Sequence, residues 1–265
     1  MTRHLLVIGA QRCGTTYLRG LLEDHPDIAM ARPVRPEPKV FLDADEAARG
    51  IEWYRRTFFA HQPDAAVLGE KSTSYLDHPE AGVRARVTLG DPLVLVQLRD
   101  PVERAVSHWA FSTAHGLETR PLAGALEANL AGPQPWDPTV TSVSPFAYLE
   151  RGHYARQLEP WLARFGADMR VQFLEELDAG AVAALYAWLG VDPGHRPTML
   201  GRRVNEAAVA PPPCRRSCDA GCARTSRTAT TRWPGWWAGR SPGRTRRPHE
   251  RRGTHPVQPA DPRGS

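Results

Sequence analysis

Residues His4 to Leu22, HLLVIGAQRCGTTYLRGLL, constrain the fold of this chain more than any other stretch. Leu5 to Ile8 form an apolar run of the length of one buried strand. Gly9-Ala10-Gln11-Arg12-Cys13-Gly14 then reads as a loop bounded by glycines. Thr15-Thr16 open a helix whose Leu18, Leu21 and Leu22 recur at helical spacing. A strand, a glycine loop and a helix N-terminus make an anion cradle, because loop and first-turn N–H groups converge where the helix dipole is positive. Arg12 adds a fork of donors, and the hydroxyls of Thr15 and Thr16 add two more. The spacing Gly9-x4-Gly14 is that of a nucleotide P-loop, yet Thr15 stands where a nucleoside triphosphatase needs Lys. The basic residue lies inside the loop instead, which suits a single 5'-phosphate bearing a transferable group. The bland alternative is an ordinary strand-to-helix turn in a doubly wound sheet.

Charge narrows the classes. The formal net charge is +5, but residues 211–265 hold 12 Arg against 3 acidic residues, a net of +9, which leaves residues 1–210 at −4. The basicity belongs to the end, so the overall balance does not argue for nucleic-acid binding. No apolar run reaches the length of a membrane span and no signal-peptide apolar region opens the chain, so the expected location is cytoplasmic. Only Lys39 and Lys71 occur against 32 Arg, the mark of a GC-rich coding bias. A compact ammonium that survives this bias is a candidate for a tight site that guanidinium does not fit.

Further along, Arg32 to Phe41 carries prolines at 33, 36 and 38 and is expected to be a loop over the strand ends, where open α/β sheets bind ligands. Glu37, stiffened between two prolines, is a candidate general base; the alternative is a solvated loop carboxylate. Ile51 to Phe59 reads as a helix and Val67 to Lys71 as a strand, with Glu70-Lys71 either a surface pair or part of the site lining. Pro79 to Thr88 is expected to be helical, and Leu93 to Leu98 is a second buried strand. After Arg99, Asp100 is a candidate N-cap, Pro101 a first-turn proline and Glu103 the partner of a capping box. Arg99 and Ser107 are then placed to face a second anion. Pro121–Leu130, Phe146–Phe165 (bent near Gly152) and Ala179–Leu189 are expected helices, Arg170–Leu174 a strand, and the proline-rich loop at 132–138 a cover for an acceptor site.

Together these residues resemble a known family. Gly9-Ala10-Gln11-Arg12-Cys13-Gly14-Thr15-Thr16 is similar to the 5'-phosphosulfate loop of PAPS-dependent sulfotransferases, and Arg99-Asp100-Pro101 through Ser107-His108-Trp109 to their 3'-phosphate motif. Glu37-Pro38-Lys39-Val40-Phe41 resembles the acidic loop of the carbohydrate, heparan-type branch, as found in bacterial members also. Gly69 to Tyr75 and Arg151-Gly152-His153-Tyr154 with Gln157-Leu158 and Trp161-Leu162 match further segments, and Arg202-Arg203-Val204-Asn205 resembles one near the nucleotide. The likeness spans about residues 3 to 209.

It implies an α/β fold with a P-loop-type central parallel sheet in one domain, residues 1–210. It implies 3'-phosphoadenosine-5'-phosphosulfate (PAPS) as donor, PAP as product, no metal, and a sugar or small natural-product hydroxyl or amine as acceptor. Glu37, Arg12 and Lys71 are the implied catalytic residues. Gly9, Gln11, Arg12, Cys13, Gly14, Thr15, Thr16, Arg99 and Ser107 are the implied donor-binding residues. Many members have Lys where this chain has Arg12, so Arg12 is assigned an electrostatic role alone. His108 and His153 are read as structural. Two other classes stay open on the residues: a P-loop kinase of a small molecule, and a nucleotide-binding protein without turnover.

After Pro211 apolar periodicity ends. Cys214, Cys218 and Cys222 lack a fourth ligand at zinc-site spacing. The Arg- and Pro-rich segment 211–265 reads as a basic nucleic-acid tail, as a disordered tail or, the preferred reading, as translation out of frame: among the GC-rich codon choices for residues 218–243, one shifted by two bases reads as an amphipathic sequence. Limited proteolysis is therefore expected to remove residues after about Pro213 first. Survival of 214–265, or stop codons in the alternative frame of the coding DNA, would count against this reading.

Overall fold

The computed structural model describes residues 2–137, 139–141 and 143–201. The segment at 202–205 and the tail with its cysteines lie outside the described residues. The elements run β1 (Arg3–Gly9), α1 (Thr15–Glu23), β2 (Ile28–Met30), α2 (Ala44–Ala48), α3 (Gly50–Phe58), β3 (Val67–Lys71) and α4 (Pro79–Leu89). There follow β4 (Leu93–Leu98), α5 (Pro101–Ala114), α6 (Leu122–Leu130), α7 (Tyr154–Phe165), β5 (Met169–Phe173) and α8 (Ala179–Leu189).

All described strands are parallel, in the order β2-β3-β1-β4-β5. Parallel strands need helical crossovers, so both sheet faces are covered and the central strands read as continuous apolar runs. In β1, residues His4 to Gly9 are buried on both faces. Leu5 and Val7 pack with Leu18, Leu21 and Leu22 of α1 and with Val182, Leu185, Tyr186 and Leu189 of α8. Each fully buried Leu or Val contributes roughly 1.5–3 kcal/mol against exposure, so this layer pins β1 at the centre. The chain runs from β1 to β2 and β3 on one side, then crosses to β4 and β5 on the other. The loop after β1 thus emerges where the strand order reverses, the place at which open α/β sheets take ligands. An extra residue between Val7 and Gly9 breaks the register with β4 at this point.

The expected helix over Phe146–Phe165 begins only at Tyr154, after a short 3-10 turn at Glu150–Gly152. The backbone before it is engaged elsewhere. The Pro145 carbonyl accepts from Ser112, the Tyr148 carbonyl from the buried Arg104, and the Leu149 N–H donates to Asn129 Oδ1. Asp100 caps α5 through the N–H groups of Val102 and Glu103, as expected. The capping box does not close: Glu103 turns to Arg99, and the Asp100 N–H goes to Glu175. No helix among the described residues is long and apolar enough to cross a membrane.

Gly14 carries the turn into α1 at φ +73, and a Cβ there would lie 2.8 Å from Leu174 and 3.1 Å from the Gln97 amide nitrogen. Gly14→Ala therefore combines left-handed strain with a clash, and is expected to cost about 2 kcal/mol. Thermal melting should register this as a fall of about 4–8 °C. An unchanged melting temperature would show that the loop relaxes freely.

Candidate active site

The cradle is built from backbone and one buried amide. The Ala10 N–H donates to the Gln97 carbonyl at 2.7 Å, and the Gln97 side chain donates to the Cys13 carbonyl at 2.6 Å. Gln172 of β5 donates in turn to Gln97 Oε1. Gln97 is fully buried in β4, so the loop rests on a satisfied polar contact inside the sheet. Gly14 occupies the N-cap of α1 and offers no capping side chain, which leaves the first-turn N–H groups directed at the cradle. Thr15 is buried and Thr16 exposed at the same turn.

Gln11 accepts from Arg151, which also approaches Asp77 at 3.5 Å. Cys13 lies buried against the Tyr154 hydroxyl, which donates to the Arg99 carbonyl at 2.9 Å. Burial pushes the Cys13 thiol up to about 11.

Arg12, at φ +66, turns its guanidinium toward α5. It donates to Ser107 Oγ at 3.4 Å and stacks 4.5 Å from the Phe111 ring centre. Burial first, then Arg99 and Arg104, weaken its hold on its proton. Arg12 Nε, Arg104 Nε and Arg104 Nη1 are buried without an acceptor. Buried guanidinium donors left open beside like charges fit an anionic ligand. Arg99, at the end of β4, pairs with Glu103 at 3.0 Å and lies 3.9 Å from Glu175. His108 packs edge-on against Tyr148, and burial with the Arg104, Arg151 and Arg12 charges drives its basicity far down.

A second cluster stands at the end of β3. Lys71 Nζ meets Glu37 Oε1 at 2.5 Å, with the two side chains only 10% and 18% exposed. The Thr73 N–H donates to Glu37 Oε2 at 3.0 Å, and the Thr73 hydroxyl is 3.1 Å from the same oxygen. The Pro-flanked loop thus delivers Glu37 to the carboxyl edge of the sheet. Glu70 and Lys71 do not line the site together. Successive side chains of a strand point to opposite faces. Lys71 faces Glu37, whereas Glu70 is fully buried and accepts from Tyr54, Ser72 and Tyr75. Burial raises its pKa, but three hydroxyls enclose it.

The structure thus brings Arg12 to Ser107 and Glu37 to Lys71. Gln97, Thr73, Arg104 and Arg151 were not singled out as site residues from the sequence. Arg104, Arg151 and Thr73 stood inside family-like motifs without a role of their own; Thr73 follows Lys71 in a hydroxyl-rich run that could have been read as a carboxylate cradle. Among the described residues no group of three His, Cys, Asp or Glu is placed to hold a metal.

The sulfotransferase domain model matches residues 2–175. The chain belongs to the sulfotransferase domain family. It is 29% identical over 171 residues to the bifunctional heparan sulfate N-deacetylase/N-sulfotransferase 1 of Caenorhabditis elegans, covering 63% of this chain and 19% of that protein. It is 31% identical over 160 residues to the mouse heparan sulfate glucosamine 3-O-sulfotransferase 3A1, covering 60% of this chain and 37% of that one. This sulfotransferase chain therefore spans less than half the length of either relative. The crystal structure of a sulfotransferase from Alicyclobacillus acidocaldarius superimposes with a TM-score of 0.64 at 23% identity, over 90% of this chain and 100% of that one, and shares its fold. These matches do not favour the kinase or the inactive-binder alternative.

A buried thiol with its pKa pushed to about 11 is a poor nucleophile. Cys13 in the folded enzyme is expected to resist iodoacetamide at pH 8 and to react once the chain is unfolded, as read from its peptide by mass spectrometry. Labelling at the rate of a free thiol would show that Cys13 is accessible in the loop.

Proposed function

We propose that this sulfotransferase moves a sulfuryl group from PAPS to a hydroxyl or amine of a carbohydrate acceptor, with Glu37 as general base. The observation that carries the reading is the Glu37–Lys71–Thr73 cluster at the end of β3, whose neighbouring parallel strand β1 leads into an uncapped helix N-terminus. PAPS, when bound, supplies the sulfuryl group and leaves as PAP.

The residues present suit such a donor. The loop N–H groups, Gln11, Arg12, Thr15 and Thr16 would hold the 5'-phosphate, where positive charge offsets what develops as the bond to sulfur breaks. Arg99 and Ser107 would hold the 3'-phosphate. Arg99 would exchange its carboxylates Glu103 and Glu175 for it, since a phosphate accepts a bidentate, charge-assisted pair. Lys71 and Thr73 orient the Glu37 carboxylate with two or three donors, which leaves lone pairs to accept the acceptor's proton.

The carbohydrate class is supported by the names of the heparan sulfate relatives.

Titration with PAP and with ATP-Mg tests the donor; PAP is expected to bind without metal and more tightly. Tight, Mg-dependent ATP binding would overturn the reading. A panel of glucosamine-containing oligosaccharides with labelled PAPS then tests the acceptor class. Glu37→Gln is expected to lower turnover by about 10²-fold with PAP affinity unchanged. Near-normal turnover would place the base elsewhere.

A further inference from the structure

Glu70 lies at the bottom of a hydrogen-bond system that ends next to Glu37. Its Oε1 accepts from Ser72 Oγ at 2.6 Å and from the Tyr75 hydroxyl at 2.5 Å, and its Oε2 accepts from the Tyr54 hydroxyl at 2.7 Å. Two of these three hydroxyls are also acceptors. The Lys39 N–H donates to Ser72 Oγ at 2.9 Å, and the Phe41 N–H donates to the Tyr75 hydroxyl at 3.1 Å. Pro36 and Pro38 have no N–H, so Lys39 and Phe41 supply early backbone anchors after Glu37. Lys39 stands in the left-handed region at φ +54, a conformation that needs outside support in a residue with a side chain. Arg84 holds the same turn by the carbonyls of Phe41 and Leu42.

Donor counting explains the arrangement. A hydroxyl has one proton. Ser72 and Tyr75 can each receive a backbone N–H at oxygen only while their own proton points away, and Glu70 Oε1 takes both protons. The buried carboxylate therefore sets the direction of two hydroxyls, and they set the position of the turn that carries the base. Tyr54 is the internal contrast: it donates to the same carboxylate, yet its hydroxyl receives no N–H from the turn among the described bonds.

We propose that Glu70 is a positioning residue for Glu37, acting through Ser72 on the Lys39 N–H and through Tyr75 on the Phe41 N–H. The proposal rests on the reading of Glu37 as base and concerns a residue that does not touch substrate. A displacement of about 1 Å at a reacting group can cost on the order of 10²-fold in rate.

The test uses Ser72→Ala, Tyr75→Phe, Tyr54→Phe, Glu70→Ala and Glu70→Gln, each alone and combined with Glu37→Gln, in the full chain. Turnover is measured with the best acceptor of the oligosaccharide panel, and PAP affinity by titration. Ser72→Ala and Tyr75→Phe are expected to lower kcat by about 10-fold or more at unchanged PAP affinity, and Tyr54→Phe by no more than about 2-fold. In the Glu37→Gln background the first two should cost nothing further, because residues acting as one unit are not additive. Glu70→Ala, which removes the acceptor of both protons, is expected to lower kcat by about 10-fold or more at unchanged PAP affinity, and Glu70→Gln, which keeps an amide oxygen for Ser72 and Tyr75, to recover part of that loss. Three results would overturn the proposal: Tyr54→Phe falling as far as Tyr75→Phe, losses that persist undiminished without the Glu37 carboxylate, or a Glu70→Ala variant that keeps normal kcat. Amide exchange at Lys39 and Phe41 reads the tether without any acceptor. It should accelerate in Ser72→Ala and Tyr75→Phe but not in Tyr54→Phe, and unchanged exchange in all variants would also overturn the proposal. Failure of PAP to bind would sink the donor reading and leave the exchange result standing.

Discussion

The buried amide of Gln97 is the contact on which the cradle depends. A loop at the end of a central strand exposes carbonyls and N–H groups to the sheet interior, where each unpaired group costs about 1–3 kcal/mol. Gln97 answers this from inside β4: its backbone carbonyl takes the Ala10 N–H, and its side chain gives a hydrogen bond to the Cys13 carbonyl. Its remaining oxygen is occupied by Gln172, so the amide is locked in one orientation. The loop is thereby held at both ends by one residue of the neighbouring strand, and the Cys13 N–H closes a turn onto the Ala10 carbonyl within it. Gly14 permits the approach, since any side chain there would strike Leu174 and Gln97.

Around this anchor the charge distribution is unbalanced in a useful way. Arg12, Arg99, Arg104 and Arg151 gather near the loop, and each acts on the others or on His108 by like-charge repulsion. The carboxylates that answer them, Glu103, Glu175 and Asp77, sit toward the rim. Three guanidinium nitrogens, one on Arg12 and two on Arg104, have no acceptor among the described residues. Folding alone would not favour that arrangement, because buried positive charge without a partner is destabilising. An anion bound in the cradle would relieve it, which is why these residues suit the proposed donor.

Much of this was legible in the sequence. Apolar runs at 5–8 and 93–98 announced buried strands, and the glycine loop announced its own position, since both signals are local. Asp100 as cap followed from the same local chemistry. The misses share one cause. Glu103 in the capping-box position is diverted by Arg99, the helix expected from Phe146 is unmade by Arg104, Ser112 and Asn129, and Gln97 reads as one polar letter in an apolar strand. In each case the deciding partner sits on another element or competes for the same group, so spacing alone does not reveal it.

Glu70 and Lys71 show how far one residue of register reaches. Both are ionisable, adjacent, and at the carboxyl end of β3. The pleat sends Lys71 to the loop side and Glu70 into the core, and their chemistry diverges from there. Burial gives Glu70 the raised proton affinity often sought in a general base, but three hydroxyl donors fill its oxygens and no surface reaches it. Glu37 has the opposite assets: partial exposure, and an ammonium and an N–H to aim it. A base must be reachable before its affinity matters. The carboxylate that cannot meet an acceptor is left with the other task a buried charge can perform, that of fixing the direction of the hydroxyls around it.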